Sequence, residues 1–355
     1  MKILIIGFAK IKYMPYLNLY LDNLDFNKNE VHLLYWDRDT TDDIQIEQQI
    51  TLHKFCANQQ DDRKRVLKVK NFFRFRKFAM NVIKKNKYDF IIVLHTLPGL
   101  LLLDLLKKKY KGKYILDYRD STYEYFYPFK KLVHSLSLNA NMTFVSSNAF
   151  RKYLPLNANI LTTHNFIEED LNHREYKKVP SDKIRIAFWG FIRHESINKE
   201  IIRKIAADSR FELHYYGREQ QIALNLKVYA KTLSADNVFF HGEYQPKDRY
   251  EFVKSTDIIH NIYNDNNMML AMANKFYDGI IFRIPQICMI NSYMAERANN
   301  ADIGHACNPY EDSFCNKVIN YYDKLRYEHF FSNCNEELKK VLEEYLYACE
   351  QVQKL

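Results

Sequence analysis

Residues Ala273 to Pro285 read ANKFYDGIIFRIP, and this stretch predicts a helix that begins beside a ligand. Asn274 is a favourable N-cap residue, and the exposed amides of a first helical turn attract anions. Lys275 adds a positive charge there, and Asp278 can share its side of the helix. The carboxylate can accept hydrogen bonds from a ribose diol, while the lysine and the amides bind a diphosphate. The alternative is a surface helix with a cap and an ion pair.

The composition is that of a globular protein with room for two domains. The chain has 355 residues, of which 47% are hydrophobic. Its N-terminus, MKILIIGFAK, is too short for a signal peptide core or a membrane span, so we expect a first strand there. The six cysteines show neither CxxC nor zinc spacing, which favours a reduced, cytoplasmic protein. The net charge of +9 indicates acidic partners such as phosphorylated substrates, anionic lipid or nucleic acid.

Strands alternate with helices through the first half, which indicates a doubly wound parallel sheet of the α/β class. The predicted strands are 2–6, 31–36, 90–94, 114–118 and 142–145, and the predicted helices include 13–24, 63–87 and 100–110. Ligands bind at the carboxyl ends of such strands. This places Gly7, His95, Arg119 and Asp120 on one rim.

The alternation restarts after a polar linker, so we expect two Rossmann-like domains. The predicted bounds are 1–165 for the N-terminal domain, 166–182 for the linker, 183–333 for the C-terminal domain and 334–355 for a last helix near the domain junction. The predicted strands of the second domain are 184–189, 211–216, 238–240, 258–262 and 286–290.

Several common cofactor motifs are missing. Gly7 is followed by Phe8, Ala9 and Lys10 rather than by GxGxxG, and there is no Walker A lysine motif. The triplet Asp37-Arg38-Asp39 follows a strand, where three polar residues are typical of a solvated turn, so we assign no metal.

Three strands of the second half each end at a glycine. Their segments are IAFWGFIR (186–193), HYYGRE (214–219) and NVFFHGEY (237–244). Gly190 would let a substrate approach the backbone, and Arg193 would offer a planar guanidinium to phosphate oxygens. Each glycine alone is typical of a turn, but the series followed by Asn274 predicts a cationic cluster at one sheet edge.

In this order, WGFIR, YYG, NVFFHGEY, STDIIHNIY, ANKFYDG and IPQICMI resemble the donor-binding domain of bacterial GT-B glycosyltransferases that build capsular and other surface polysaccharides. In the first half YWDRD, LDYRDSTYEYF, VSSNAFRKYLP and THN fit the same family. Epimerases acting on nucleotide sugars share this fold, so an epimerase or hydrolase stays open as an alternative.

The resemblance implies two Rossmann-like domains facing a cleft, with a nucleotide sugar bound by the C-terminal one. The expected donor is UDP-linked. It implies that Arg193 and Lys275 bind the diphosphate and Asp278 the ribose. The loops at Gly217 and Glu243 would border the base. Many relatives carry a glutamate at the position of Leu270, so Met272, Ala273 and Asn274 would have to supply that contact.

Glycosyl transfer needs a stabilised leaving diphosphate and a group that takes the acceptor proton. Arg193, Lys275 and the helix amides would do the first without a metal or other cofactor. Asp120 is our candidate for the second, with Glu124 and His95 as weaker ones. Asp120 could instead be held by Arg119 or cap a helix. The resemblance favours retention of configuration.

The predicted helix 63–87 is basic and amphipathic. Arg63, Lys70, Arg74, Lys77 and Lys84 fall on one face, and Phe72, Phe75, Ala79, Val82 and Ile83 fall elsewhere. This pattern suits anionic lipid at the inner face of the cell membrane, where a lipid-diphosphate-linked saccharide acceptor would lie. It equally suits a solvated basic face whose aromatics pack on the sheet. A non-catalytic lipid- or RNA-binding protein is a further alternative, but no RNA-binding signature appears.

Overall fold

The computed structural model describes residues 1–39, 43–46, 48–59 and 65–355, without the side chains of 65–68. Two compact units share the chain. The first comprises Met1–His164 and Glu343–Leu355, and the second comprises Asn165–Leu342. None of the helices in the described residues is long and apolar enough to cross a lipid bilayer. The domain bounds and roles predicted from the sequence stay a prediction.

The first unit is built on a parallel sheet, in which the described residues form seven strands in the order β3-β2-β1-β4-β5-β6-β7. The strands are β1 Lys2–Ile6, β2 Glu30–Asp37, β3 Thr51–Cys56, β4 Phe90–Leu94, β5 Tyr114–Tyr118, β6 Met142–Val145 and β7 Ile160–Thr162. The order reverses between β1 and β4. Ligands of doubly wound sheets bind at such a switch point, which here lies beside Gly7 and His95.

The helices of the first unit differ from the prediction near the N-terminus. They are α1 Asn18–Leu21, α2 Arg65–Asn86, α3 Thr96–Leu101, α4 Leu103–Lys109 and α5 Tyr127–Asn139. The helix predicted over 13–24 is wrong, because two 3-10 turns precede the single turn of α1, and Pro15 begins the second of them. Strands β3 and β7 and helix α5 were not predicted.

Helix α2 packs its aromatic side on the first sheet. Phe75, Ala79 and Ile83 are buried, and Phe75 contacts the rings of Phe8 and Trp36. Among the predicted basic residues Lys70, Arg74, Lys77 and Lys84 are exposed, and Arg63 lies outside the described residues. The predicted separation of a basic face from a packed aromatic face is therefore present.

The second unit is built on a parallel sheet of six strands among its described residues, in the order β10-β9-β8-β11-β12-β13. The strands are β8 Ile184–Trp189, β9 Phe211–Tyr216, β10 Val238–Gly242, β11 Ile258–Asn261, β12 Gln286–Met289 and β13 Gly304–Cys307. The helices are α6 Glu195–Ala206, α7 Gln221–Thr232, α8 Arg249–Phe252, α9 Asn274–Ile281, α10 Tyr293–Asn300, α11 Phe314–Asp323 and α12 Tyr327–Gln353. Helix α12 begins in this unit and ends in the first. The two predicted Rossmann-like sheets are confirmed.

Candidate functional site

The second sheet reverses its strand order between β8 and β11, and Gly190 and Tyr263 lie just beyond the carboxyl ends of these two strands. A gap between divergent loops opens at such a point, and nucleotides bind there in doubly wound sheets. We describe the residues around this point as the glycine rim: Gly190, Arg193, Gly217, Gly242, Tyr263 and Lys275.

The glycines of the rim are joined by backbone hydrogen bonds. The Gly190 amide donates to the Tyr216 carbonyl at 2.9 Å, and the Gly217 amide donates to the Gly242 carbonyl at 2.7 Å. Gly190 has φ +119°, a region that favours glycine, and a β-carbon on Gly217 would overlap the Gly190 carbonyl. The adjacent loops can therefore pack this closely only without a side chain at Gly217, whereas Gly190 is favoured by its backbone conformation.

Lys275 is buried at the rim. Its side-chain amine lies 3.9 Å from the ring centre of Phe188 and donates a 2.5 Å hydrogen bond to the Tyr263 hydroxyl. Burial lowers the pKa of Lys275 to about 7, and the nearby positive charge of Arg193 adds to this, while Asp278 opposes it. An incoming anion would reverse the shift, so Lys275 is poised to gain a proton with a ligand.

Arg193 and its neighbours complete the cationic side of the rim. Arg193 is exposed and lies over the Phe191 ring. His194 adopts a left-handed conformation with φ +64° at the start of α6, and its Nε2 lies 3.1 Å from Asp265 Oδ2. Burial lowers the pKa of His194, so its imidazole is neutral at neutral pH. Arg193 is thus the exposed cation beside the buried Lys275.

Asp278 belongs to a buried ion network. Arg249 donates from Nη1 to Asp278 Oδ1 at 2.8 Å and from Nη2 to Asp170 Oδ1 at 2.8 Å. The Trp189 indole donates to Asp278 Oδ2 at 2.6 Å. Burial raises the pKa of Asp278 to about 6, although Arg249 opposes this. Both carboxylate oxygens already accept a hydrogen bond within the chain, and the role of Asp278 at a ribose stays a prediction.

The start of α9 differs in one detail from the prediction. The N-cap position belongs to Ala273, and Asn274 is the first helical residue, exposed and without a side-chain capping bond. The predicted N-cap role of Asn274 is therefore wrong, because Ala273, whose backbone is extended, occupies the N-cap position and the helix already includes Asn274. Met272 is buried, whereas Glu243 is exposed beyond β10.

The first unit carries the predicted proton-transfer residues. His95 follows β4 with φ +75°, and its Nδ1 lies 4.0 Å from Asp120 Oδ2. The Tyr16 ring meets the His95 ring edge to face at 5.0 Å. Burial lowers the pKa of His95, against the raising effect of Asp120, so the ring is neutral and can accept a proton. The pair His95 and Asp120 is the arrangement in this unit best suited to general base chemistry.

Arg119 is bound to a buried carboxylate, and the alternative in which it also holds Asp120 stays a prediction. Its guanidinium donates to the fully buried Asp117 at 2.9 Å, and the Tyr20 hydroxyl donates to the same carboxylate at 2.8 Å. Desolvation alone would lower the pKa of Arg119, but the neighbouring Asp117 carboxylate raises it above its ordinary value. Asp120, by contrast, is 52% exposed.

Glu124 and Gly7 have local structural roles. Glu124 is buried, and its carboxylate accepts a 2.5 Å hydrogen bond from the Thr122 amide. The Gly7 amide donates to the Leu34 carbonyl at 2.8 Å, and a β-carbon on Gly7 would overlap Met14. Of the three candidate bases, Glu124 is the least accessible to an acceptor.

The DxD triplet is a lysine-paired turn. Asp37 is the buried last residue of β2, and Lys10 and Lys54 lie 3.3 Å and 2.9 Å from its carboxylate. Lys10 also pairs with Asp39. The expectation of a solvated turn is wrong for Asp37. In the part of the chain that the structure describes, no group of three or more His, Cys, Asp or Glu side chains is arranged to hold a metal ion.

Among the residues of these networks that sequence reasoning missed are Asp117, Asp170, Trp189, Arg249 and Tyr263. Trp189 ends β8 and Tyr263 follows β11, so the strand-end argument could have found both. Arg249 lies 29 residues before Asp278 in a segment without a motif, so nothing in the sequence marked it.

Several solved structures are similar to nearly the whole chain. Sucrose-phosphate synthase from Thermosynechococcus elongatus has a TM-score of 0.76 at 11% identity, over 100% of this chain and 98% of that one. HepE from Anabaena, solved in complex with UDP and glucose, has a TM-score of 0.67 at 13% identity, over 99% of each chain. A protein assigned as a UDP-N-acetylglucosamine 2-epimerase from Listeria monocytogenes has a TM-score of 0.56 at 10% identity, over 94% of this chain and 90% of that one.

No protein-family model matches the sequence, and no curated protein is significantly similar to it. At these identities the solved structures show the fold alone. The chain has the GT-B fold, with two Rossmann-like parallel-sheet units, as the sequence predicts.

Proposed function

We propose that the protein is a glycosyltransferase that moves a sugar from a nucleotide diphosphate sugar to a saccharide acceptor. The observation that carries the proposal is the glycine rim, where Lys275 and Arg193 lie beside Gly190 at the switch point of the second sheet. Side-chain-free backbone and two cations suit a diphosphate. Since HepE was solved with UDP and glucose, a UDP-linked donor is the first to test.

In the proposed reaction the bond between the sugar's anomeric carbon and the diphosphate oxygen breaks, and its electron pair leaves with the nucleoside diphosphate. The acceptor hydroxyl oxygen forms the new bond to that carbon and loses its proton. Lys275, protonated when a diphosphate is bound, and Arg193 would stabilise the developing charge without a metal. We carry over retention of configuration from the family resemblance.

The acceptor proton has two candidate destinations in the first unit, Asp120 and His95. Asp120 is exposed and His95 is neutral. At 4.0 Å, the Asp120 carboxylate can stabilise the positive charge that His95 would gain on accepting the proton. We favour this pair over the buried Glu124. Arg119 would serve the acceptor side by fixing the loop beneath Asp120 through its bonds to Asp117.

The acceptor is proposed to be a glycan or a lipid-diphosphate-linked saccharide used in cell-surface polysaccharide synthesis. The exposed basic face of α2, formed by Lys70, Arg74, Lys77 and Lys84, supports docking at an anionic membrane surface. The protein would then be a cytoplasmic enzyme that binds the inner face of the membrane reversibly.

Calorimetric titration with UDP tests the donor half of the proposal. Wild type should bind UDP, and Lys275→Met should bind at least tenfold more weakly, because methionine fills the site without a charge. Lys231→Gln, which removes an exposed lysine of α7 in the same unit, is the matched control and should bind normally. Failure of UDP and other nucleoside diphosphates to bind wild type would overturn the proposal.

A nucleotide-sugar epimerase or hydrolase is the second candidate, because the epimerase-like structure from Listeria monocytogenes shares the fold. Such an enzyme would convert the nucleotide sugar without an acceptor. Proton NMR of UDP-N-acetylglucosamine and UDP-glucose incubated with the protein distinguishes the two. Turnover that needs an added saccharide supports transfer. Conversion to an epimer mixture or to free sugar without one supports the alternative.

A further inference from the structure

A basin of about 640 Å³ opens beside the edge strand β13 of the second unit, three strands away from β8 and outside the glycine rim. At the usual spacing of adjacent strands, this places β13 about 14 Å from β8. The basin has the size of a small-molecule site. Its lining includes His305, Lys317, Tyr321, Lys324, Arg326 and His329.

The basin is positively charged. Lys324 and Arg326 are exposed, and neither makes a side-chain hydrogen bond or ion pair with any residue that the structure describes. Asp302 is the one carboxylate among the described lining residues, and it lies 3.5 Å from His329. Lys317 is paired with Glu311, outside the lining. Two cations of the basin therefore lack a neutralising partner.

Two aromatic residues of the lining, His305 and Tyr321, carry unsatisfied polar atoms. The rings of His305 and Tyr321 stack 5.3 Å apart at 14°. The His305 Nε2 atom and the Tyr321 hydroxyl are buried and have no hydrogen-bond partner within the described residues. A buried polar group without a partner is destabilising, so a ligand oxygen that reached either atom would recover part of that cost.

We propose that this basin binds a small molecule carrying a phosphomonoester, at a site separate from the proposed donor site. Arg326 supplies a planar guanidinium and Lys324 a point charge, the two side chains that proteins use most for phosphate. Tyr321 adds a hydroxyl donor that no residue of the described chain uses. Inorganic phosphate would fill only a small part of 640 Å³, which leaves room for an organic portion. The site goes beyond the proposed transferase activity and does not depend on it.

Calorimetric titration with glucose 6-phosphate, ribose 5-phosphate and 3-phosphoglycerate tests the site, with glucose and inorganic phosphate as comparisons. At least one of the three phosphomonoesters should bind wild type, and the double variant Lys324→Gln/Arg326→Gln should bind it at least tenfold more weakly. Tyr321→Phe removes only the hydroxyl, so we expect affinity to fall three- to tenfold while the melting temperature of the free protein stays the same or rises. If the hydroxyl were purely structural, Tyr321→Phe would leave the affinity unchanged and lower the melting temperature.

Two control variants locate the binding. Lys77→Gln/Lys84→Gln removes two exposed charges from α2 in the first unit, and Arg193→Gln removes the exposed cation of the glycine rim. Both should bind the phosphomonoester as wild type does. The proposal would be overturned if binding survives in Lys324→Gln/Arg326→Gln or is lost in Arg193→Gln. It would also be overturned if inorganic phosphate binds as tightly as the phosphomonoesters, or if none of the three probes binds.

Discussion

Asp278 and Arg249 form a buried ion pair at 2.8 Å, and Arg249 joins Asp278 to a second buried carboxylate, Asp170. The pair holds α9, which carries Lys275, to the segment after residue 164. Two buried carboxylates thus depend on one guanidinium.

Replacing Arg249 by methionine should therefore lower the free energy of unfolding by about 3 kcal/mol at pH 7, because both carboxylates lose their cation. Urea denaturation measures the change. Protonation would neutralise the carboxylates, so the loss should be smaller at pH 5. Adding Asp278→Asn to Arg249→Met should recover part of the stability. A double variant no more stable than the single one would show that Asp278 and Arg249 are not coupled.

Lys275 should make diphosphate binding depend on pH. Its pKa is lowered to about 7 by burial, so the free protein loses the charge as the pH rises through 7. A diphosphate binds the protonated form, and affinity for UDP should fall about tenfold between pH 8 and 9. Titration in two buffers of different ionisation enthalpy should detect proton uptake on binding. Lys275→Met should bind weakly with no such slope, and a wild-type affinity constant over this range would contradict the assignment.

The same pKa predicts the sign of a stability effect. In the unfolded chain Lys275 keeps its ordinary pKa of 10.5, so between pH 7 and 10.5 the unfolded state binds more protons than the folded state. Burial of Lys275 therefore destabilises the folded state most below pH 7, and this destabilisation decreases as the pH rises from 7 towards 10.5. Lys275→Met should be more stable than wild type at pH 6, and the difference should shrink by pH 9. Thermal unfolding at both pH values checks this.

Gly217 should tolerate no side chain. A β-carbon there would overlap the Gly190 carbonyl, so Gly217→Ala must push the two loops apart. We expect a loss of about 2 kcal/mol in unfolding free energy and at least a tenfold loss of UDP affinity. Gly112→Ala is the matched control, because Gly112 has φ +68° but open space around it. It should cost about 1 kcal/mol by backbone strain and leave UDP binding unchanged. Equal effects of the two variants on UDP binding would count against a glycine rim.

His95 and Asp120 should affect turnover and not donor binding. His95→Gln and Asp120→Asn each remove one member of the candidate proton-transfer pair, and general base catalysis typically contributes about 10²–10⁴-fold. Steady-state kinetics with a saccharide acceptor should show kcat lowered within this range, with UDP affinity unchanged by calorimetry. Glu124→Gln should instead lower the melting temperature, because its carboxylate holds the Thr122 amide. A kcat loss for Glu124→Gln alone would move the base to Glu124.

The sheet of the second unit was predictable because its strands are short apolar runs that end at a glycine or polar residue. Strands β8 and β9 match their predicted bounds to the residue. Strand β13, GHAC, has no run long enough to signal a strand, and β3 is a mostly exposed edge strand. The sequence analysis missed β13 because it is too short, and it missed β3 because it is mostly exposed.

The candidate site was predictable only in part. Arg193 follows strand β8 and Lys275 lies at the start of α9, and both positions are at the same sheet edge. These positions can be read from the sequence. The partners of Asp278 could not, because Trp189 and Arg249 lie 89 and 29 residues away and their contacts depend on how the elements pack. A carboxylate expected to face a ribose therefore proved to be hydrogen-bonded within the chain.

The basic face of α2 should control binding to anionic membranes. A lysine or arginine near an anionic bilayer contributes about 1 kcal/mol, so Lys70, Arg74, Lys77 and Lys84 together should account for at least a hundredfold in partition coefficient. Replacing all four by glutamine should abolish sedimentation with phosphatidylserine-containing vesicles, while the packed residues Phe75 and Ala79 keep the fold intact. Salt should weaken wild-type binding, since exposed charges are screened. A variant with four exposed lysines of the second unit changed instead, at 177, 183, 231 and 247, has the same net charge and should still sediment. If both variants lose binding equally, the attraction depends on net charge alone, and α2 is only a solvated helix packed on its sheet.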